Sequence, residues 1–195
     1  MNAFDPGYFT EHDLQDAGFK SLGSNILVAK NCTIIGVENI VIGDNVRIDG
    51  YSSIIASGGG WVSFGAYIHV GSYCFLSAGE GIQLEDFSGL SQGVRIYSRT
   101  DDYSGEHLTN PTIPQEYTGV VGGTVRIGRH VIIGSGCVVL PKVRIDDGVS
   151  VGALSLVNRN LDSWGVYSGV PARRLKDRSR RLLEREAQLK SDRAK

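Results

Sequence analysis

Several features that would assign this 195-residue chain to a common functional class are absent from it. No apolar run approaches the roughly 18 residues of a membrane-spanning helix. The first 15 residues, MNAFDPGYFTEHDLQ, lack the basic stretch and apolar core of a secretory signal. Only 4 histidines occur, and no two are spaced as zinc ligands on neighbouring turns would be. We therefore expect a cytoplasmic protein with no membrane span and no metal.

What the chain does contain is a six-residue repeat. A bulky apolar residue returns every six positions within each triplet, and the step stretches to eight or ten between the first four triplets. Neither a helix, with period 3.6, nor a half-buried strand, with period 2, explains this spacing. Fixed-period repeats of this kind indicate a β-helix with three short strands per coil. The eighteen positions are Leu22, Val28, Ile34, Ile42, Ile48, Ile54, Phe64, Val70, Leu76, Leu84, Leu90, Ile96, Ile127, Ile133, Val139, Ile145, Val151 and Val157.

A second series, four residues after the first, is also predicted to point inward. It contains small residues and all 3 cysteines, Cys32, Cys74 and Cys137. An odd number of cysteines in core positions favours reduced thiols in the cytoplasm over disulfides or metal ligands. The 26 glycines supply the backbone freedom that a turn every few residues needs.

The runs VIGDNVRIDG, VRIGRHVIIGSGCVV and VSVGALSLV, closed by YSGVPARRL, resemble the hexapeptide-repeat acyltransferases. The resemblance extends from Leu22 to Lys176 and is strongest to the galactoside and nucleotide-sugar acetyltransferase branch. It implies an all-β fold, a left-handed parallel β-helix of about six coils. It further implies acetyl-CoA as co-substrate and a homotrimer with active sites between subunits.

The chain divides into three predicted parts. Residues 1–21 form an N-terminal cap, residues 22–168 form the β-helix with a protruding loop at 101–124, and residues 169–195 form a closure and a basic α-helix. Residues 172–195 hold ten basic against four acidic residues, a surplus of six in a chain of net charge −1. Because no aromatic residues are interleaved there, a nucleic acid polymer is not an expected partner. We expect this helix to cover the end of the column.

The loop is the predicted acceptor site, because a compact solenoid has no structural need for a long irregular insertion. It is rich in polar and titratable groups. We predict that the sugar acceptor binds a set of residues on the loop and on neighbouring coils: Asp102, Glu106, Cys74 and Glu80.

The resemblance also implies where coenzyme A lies. Backbone N–H groups near Ser135 and Ala153 would hold the pantetheine arm, with Asn158 and Arg159 nearby. Arg173 and Lys176 are the candidates for contact with the phosphates.

The general base is where the sequence departs from the family. Galactoside-type members carry a catalytic histidine just after the coil that ends in VRIYS here, and that position is Asp101. His107 in the same loop could act instead, because imidazole titrates near neutrality. Alternatively, Asp101 or Asp102 could orient or deprotonate the acceptor, and His107 and Asp101 are the candidate catalytic residues. His130, in the corner of another coil, is expected to be exposed.

The missing histidine favours an amine acceptor, which needs less help from a base than a hydroxyl does. The sequence therefore predicts N-acetylation of an amino sugar. The resemblance implies that this sugar is nucleotide-linked and used in surface polysaccharide (lipopolysaccharide) synthesis. Two alternatives stay open: an O-acetyltransferase that uses His107, and a non-catalytic β-helix scaffold. A zinc-dependent carbonic anhydrase on this fold would need histidine pairs that the chain lacks.

Overall fold

The structure is a computed structural model that describes residues 4–193. Its body is a three-sided column in which each coil contributes one short strand to each side. Six coils are complete, and a seventh begins with β21. The strands are β1 Ser21–Leu22, β2 Leu27–Val28, β3 Thr33–Ile35, β4 Ile40–Ile42, β5 Arg47–Ile48, β6 Ser53–Ile55, β7 Val62–Phe64, β8 His69–Val70, β9 Phe75–Ser77, β10 Ile82–Leu84, β11 Gly89–Leu90, β12 Arg95–Tyr97, β13 Arg99–Thr100, β14 Val121–Gly122, β15 Val125–Ile127, β16 Ile132–Ile133, β17 Val138–Val139, β18 Arg144–Ile145, β19 Ser150–Val151, β20 Leu156–Val157, β21 Gly165–Ser168 and β22 Arg173–Asp177.

Three sheets form the sides. The first face is β1-β4-β7-β10-β15-β18, the second is β2-β5-β8-β11-β16-β19-β21-β22, and the third is β3-β6-β9-β12-β17-β20. The pairs between successive coils are parallel, and only β22 joins its sheet antiparallel, against β21. We call the turn from first to second face the first corner, from second to third face the second corner, and from third face to the next coil the third corner. The predicted β-helix is confirmed.

Parallel register places the repeat positions directly above one another. On the first face Ile42 pairs with Phe64, which pairs with Leu84 and, above it, Ile127. Sixteen of the eighteen predicted positions are buried, and the other two, Leu22 and Ile34, belong to the first coil and are partly buried. Each such side chain contributes roughly 1.5–3 kcal/mol on burial. The repeat is therefore the core of the column.

All three cysteines are free thiols in the column, as the repeat predicts. Cys74 and Cys137 are buried and Cys32 is partly buried. Burial raises the pKa of each thiol, and that of Cys74 to about 11. These thiols are packing groups and are unreactive at neutral pH.

The N-terminal segment lies against the first coil. Helix α1, Glu11–Asp16, begins with a capping box in which Thr10 and Asp13 satisfy each other's backbone N–H. Leu14 is buried, and the Phe9 N–H donates to the Val28 carbonyl at 2.9 Å. The segment thereby covers apolar surface that the first coil would otherwise expose.

The C-terminal helix differs from its prediction. Helix α2 spans Leu182–Arg193 and lies along the first corner instead of on the end of the column. Glu186 accepts from Arg129 Nη2 and lies 2.7 Å from His130 Nε2, and further along the helix Arg193 lies over the Tyr67 ring at 5.1 Å. Leu161, Tyr167 and Ala172 are buried at the end of the column, where Leu161 pairs with Ile145.

The position of α2 also explains why the prediction for His130 was wrong. The His130 side chain is only 10% exposed, so the expectation of an exposed histidine was wrong. It stacks on Phe87 at 5.0 Å, and Phe87 stacks on Tyr67 at 4.7 Å. The first corner is thus a continuous stack of rings beneath α2. Within residues 4–193, neither α-helix is long and apolar enough to cross a membrane.

Within the part of the chain that the structure describes, one buried hydroxyl, that of Ser88, has no hydrogen-bond partner. Ser88 is 2% exposed and its Oγ makes no hydrogen bond, whereas Ser52, at 1%, donates to the Gly71 carbonyl at 3.0 Å and accepts from the Cys74 N–H at 3.2 Å. We predict that Ser88→Val raises the free energy of unfolding by about 1 kcal/mol, because an unsatisfied hydroxyl is removed. Ser52→Val, the matched control, is expected to lower it by about 1–3 kcal/mol. Denaturant unfolding measures both, and a loss of stability in Ser88→Val would contradict the prediction.

The attachment of α2 is expected to depend on pH. Lys190, His130 and Arg129 lower the pKa of Glu186 to about 2 from an ordinary value of about 4.5. A lowered folded-state pKa gives stability above the unfolded value that is lost as pH falls through the folded value. The protection factors of the α2 amides, that is, their intrinsic exchange rates divided by the observed rates at the same pH, should therefore fall between about pH 4.5 and 2. Glu186→Gln should exchange faster at neutral pH and lose this transition; an unchanged acid transition in that variant would contradict the account.

Candidate active site

The long loop leaves the third corner after β12 and returns before β15. Its neck is a two-stranded antiparallel ladder in which β13 pairs with β14. Three bonds tie the neck to the column: Gly123 N–H to the Ser98 carbonyl at 2.9 Å, Glu80 N–H to Ser98 Oγ at 2.8 Å, and Thr124 Oγ1 to the Glu80 carbonyl at 2.9 Å. The base of the loop is therefore fixed to the rigid coils.

An ion pair crosses this neck. Arg99 Nε and Nη2 lie 2.8 and 2.7 Å from Glu80 Oε1. The pair packs on two glycines: a Cβ at Gly79 would stand 2.8 Å from Arg99 Cδ, and one at Gly122 would stand 2.6 Å from Glu80 Cγ. Larger residues at either position would push the pair off the neck.

A cavity of about 510 Å³ lies between the neck and the outer part of the loop. Its charged groups are Glu80, Arg99 and Asp101. Polar and apolar side chains of the loop make up the rest of its wall: Thr100, Asn110, Pro111, Ile113, Gln115, Thr118 and Val120. Two carboxylates and one guanidinium facing a polar cleft suit a ligand that carries both an amine and anionic groups.

Asp102 has a structural role in the loop. Its carboxylate accepts from the backbone N–H of Ser104 at 2.8 Å, of Glu106 at 3.1 Å and of His107 at 3.0 Å. Hydrogen bonds from the side chain and the backbone of Ser104 are the main reason that the pKa of Asp102 lies well below its usual range. An ionised Asp102 thus organises residues 102–107 into a compact turn.

His107 belongs to that turn. Its ring Nδ1 lies 3.2 Å from Asp102 Oδ2, and the ring packs on Gly119, where a Cβ would stand 2.5 Å from Nδ1. Of the predicted loop and acceptor residues, the structure brings Glu80 and Asp101 together on the cavity wall. It gathers Asp102, Glu106 and His107 in a separate cluster, and none of these three lines the cavity.

The prediction that Cys74 binds the acceptor is wrong. The residue is 1% exposed and its Sγ donates to the Ser91 carbonyl inside the column at 3.2 Å. Its proximity to the acceptor site was inferred from the coil to which it belongs, but its side chain points inward. A buried thiol cannot contact a ligand on the surface.

The predicted coenzyme A residues lie in three places on the column. Ser135 and Ala153 occupy the second corner on successive coils, and the Leu154 N–H donates to the Ser135 carbonyl at 2.9 Å. Arg173 pairs with Ser168 next to the same corner, whereas Lys176 pairs with Val166, farther across the second face. Asn158 and Arg159 follow β20 at the third corner, away from the others. All three basic residues of β22, Arg173, Arg174 and Lys176, are exposed.

Sequence reasoning missed Arg99, Asn110 and Gln115. Arg99 could have been found, because it precedes Asp101 by two residues and is a basic side chain at the start of the loop. Asn110 and Gln115 gave no signal, since the fold of the loop alone brings them to the cavity. Within residues 4–193, no group of three or more His, Cys, Asp or Glu side chains is arranged to hold a metal ion.

Comparison with known proteins assigns the family, although no protein-family model matches the chain. The chain is 39% identical over 183 residues to a dTDP-4-amino-4,6-dideoxy-D-glucose acyltransferase of Escherichia coli, covering 94% of this chain and 95% of the relative. The chain belongs to the hexapeptide-repeat sugar acyltransferases.

Solved structures agree with this assignment. AntD, an N-acyltransferase from Bacillus cereus in complex with dTDP and 3-hydroxybutyryl-CoA, superimposes with a TM-score of 0.92 at 37% identity, over 97% of this chain and 99% of that one. A more distant relative is the putative lipopolysaccharide biosynthesis O-acetyl transferase WbbJ of Escherichia coli K12, 28% identical over 71% of this chain and 69% of its own length. The predicted family membership is confirmed.

The structural role of Asp102 in the turn can be tested by comparison with Asp101. Asp102→Ala should speed hydrogen exchange of the amides of residues 103–107, because three of their N–H groups lose their acceptor. The melting temperature should change little, since the loop lies outside the core. Asp101→Ala is the matched control and should leave exchange in the turn unchanged. Equal exchange rates in the two variants would show that Asp102 does not organise the turn.

Proposed function

We propose that this acyltransferase moves the acyl group of an acyl-coenzyme A to the amino group of a nucleotide-linked amino sugar. The observation that carries the proposal is Asp101, a carboxylate on the wall of the loop cavity at the position where galactoside-type enzymes have histidine. The E. coli relative acts on a dTDP-linked 4-amino sugar, and AntD is an N-acyltransferase seen with dTDP and an acyl-CoA.

A carboxylate suits this reaction. The amine attacks the thioester carbonyl, a C–N bond forms, and the resulting intermediate carries a positively charged nitrogen. That nitrogen is far more acidic than a neutral amine, so Asp101 can accept its proton even though a carboxylate is a weak base. The C–S bond then breaks and coenzyme A leaves as the thiolate. A hydroxyl acceptor would need a stronger base before attack.

The spacing of polar residues supports Asp101. The AntD structures include variants of an aspartate and of a serine that stand ten positions apart in that chain, the serine first. In this chain, Asp101 is the only aspartate with a serine ten positions before it, and that serine is Ser91. We take Ser91 as a second residue of the reaction centre.

Ser91 and Asp101 lie at opposite ends of a third-face strand, Ser91 at the second corner and Asp101 beyond the third. One chain cannot bring them together, so we propose a homotrimer whose active sites lie between subunits. The third face could serve for such packing, because six outward side chains of its strands are apolar, Ile35, Ile55, Phe75, Tyr97, Val138 and Leu156, beside the polar Thr33, Ser53, Ser77 and Arg95. Parallel faces that cannot close on themselves favour cyclic assembly.

Coenzyme A would follow the second corner in this arrangement. Its pantetheine arm would run past Ala153 and Ser135 toward Ser91, with Arg173 near the phosphates. Lys176, Asn158 and Arg159 would contact it only from a neighbouring subunit or not at all. We place the reaction in the cytoplasm, where reduced thiols persist, and in the synthesis of a surface polysaccharide, as the WbbJ relative suggests.

A pair of acceptors tests the function. Acetyl-CoA is incubated with the protein and either dTDP-4-amino-4,6-dideoxyglucose or dTDP-glucose, which offers hydroxyl groups alone, and thiol release is followed. Release with the amino sugar only is expected. Release with dTDP-glucose at a similar rate would favour O-acetylation, and no release with any sugar acceptor would favour a scaffold.

The base is tested by matched variants. Asp101→Asn keeps the shape of the side chain but cannot accept a proton, so kcat should fall about 10²–10⁴-fold. His107→Gln should retain kcat within about tenfold, since its ring faces Asp102 and not the cavity. The reverse result, a large loss in His107→Gln with near-normal Asp101→Asn, would assign the base to His107.

A further inference from the structure

The second corner carries a pair of exposed, stacked tyrosines. Tyr51 and Tyr73 occupy the same place on adjacent coils, with ring centroids 5.0 Å apart and planes inclined by 5°. Each is 62% exposed. Both have a positive φ, 61° and 62°, a conformation that disfavours bulky residues. Because both rings are mostly exposed, burial gives them little stability to offset this conformation.

The stack ends abruptly above Tyr73. The next corner residue is Gly93, where a Cβ would meet nothing nearer than Gly136 N at 3.9 Å. Above Gly136 the side chain of Leu154 closes the gap, with its Cδ2 2.8 Å from where a Cβ of Gly136 would stand. The upper side of the Tyr73 ring therefore faces an open slot. The backbone of Gly93 forms the inner wall of this slot, and the side chain of Leu154 closes it from above.

The first corner shows what fills such a position elsewhere. There the rings of Tyr67, Phe87 and His130 follow one another at 4.7 and 5.0 Å without a gap. The slot over Tyr73 has the same coil spacing, about 4.8 Å, and so has room for one planar ring. Among the described residues, no side-chain ring or guanidinium is found on that side of Tyr73.

Polar groups stand at the rim of the slot. Ser135 Oγ lies 3.3 Å from Gln92 Oε1, and the side-chain amide nitrogen of Gln92 is a hydrogen-bond donor next to Gly93. A flat ring with carbonyl groups on its edge matches an aromatic platform with an amide at the side.

We propose that Tyr73 is a stacking platform for the base of a bound nucleotide, which enters the slot over Gly93. The inference deepens the proposed function, and rests on it only for the identity of the nucleotide. Two substrates of that reaction carry a base: the nucleotide-linked sugar and coenzyme A. The slot lies beside Ser91, where the acyl group and the acceptor would meet.

Calorimetric titration of the whole protein with dTDP and, separately, with 3′,5′-ADP distinguishes the two sources. Tyr73→Asn removes the ring and keeps a residue that tolerates positive φ. It should raise the Kd of one nucleotide by about tenfold or more, and Tyr73→Phe should leave it within about twofold. Gly93→Asn fills the slot and should weaken the same nucleotide. Tyr51→Asn, the matched control one coil below, should have a smaller effect than Tyr73→Asn.

A loss for dTDP alone assigns the slot to the sugar nucleotide, and a loss for 3′,5′-ADP alone assigns it to coenzyme A. Unchanged binding of both in Tyr73→Asn overturns the platform, as does dissociation of the assembly in that variant by sedimentation, because the rings would then be a subunit contact. The proposed function fails separately: nucleotide binding that depends on Tyr73 in a protein that acylates no sugar would leave the platform standing.

Discussion

Stacking of identical short coils in parallel register is the constraint from which the rest of the structure follows. Strand and corner N–H groups of one coil donate to the carbonyls of a neighbouring coil, so corner residues such as Tyr73, Gly93 and Gly136 recur at one fixed position. Inward side chains then form continuous apolar columns, and outward ones form ladders along the corners. A residue at a corner is thereby placed in space by its position in the repeat.

The candidate active site is built where this order is interrupted. The loop needs a rigid base, and the third corner supplies one through Ser98, Glu80 and Thr124. The Glu80–Arg99 pair lies across the neck, and the next residues of the loop carry Asp101 into the cavity. The same column presents the second corner, on which the cofactor and the nucleotide base would be arranged. On this proposal the chemistry takes place at corners and loops, while the faces supply stability and, in the proposed trimer, subunit contact.

The repeat alone predicted the coils, the core positions and the reduced cysteines, because a fixed period determines which side chains point inward. It could not place α2, since Glu186 meets Arg129 and His130 only through a long-range return of the chain. It did not separate Asp101 from Asp102 either. Adjacent carboxylates look alike in sequence, and only the fold of the loop turns one to the cavity and the other to backbone N–H groups. The prediction for Cys74 was wrong because it considered only which coil carries the residue and not the inward direction of its side chain.

The division between column and loop is tested most directly by removing the loop. Residues 101–120 would be replaced by Asn-Gly, a two-residue turn suited to joining β13 and β14, which already pair antiparallel. The account predicts an unchanged unfolding transition and retained coenzyme A binding, with acyl transfer to the amino sugar lost. Transfer at a normal rate by the shortened protein would contradict it, because the cavity and Asp101 would then be dispensable.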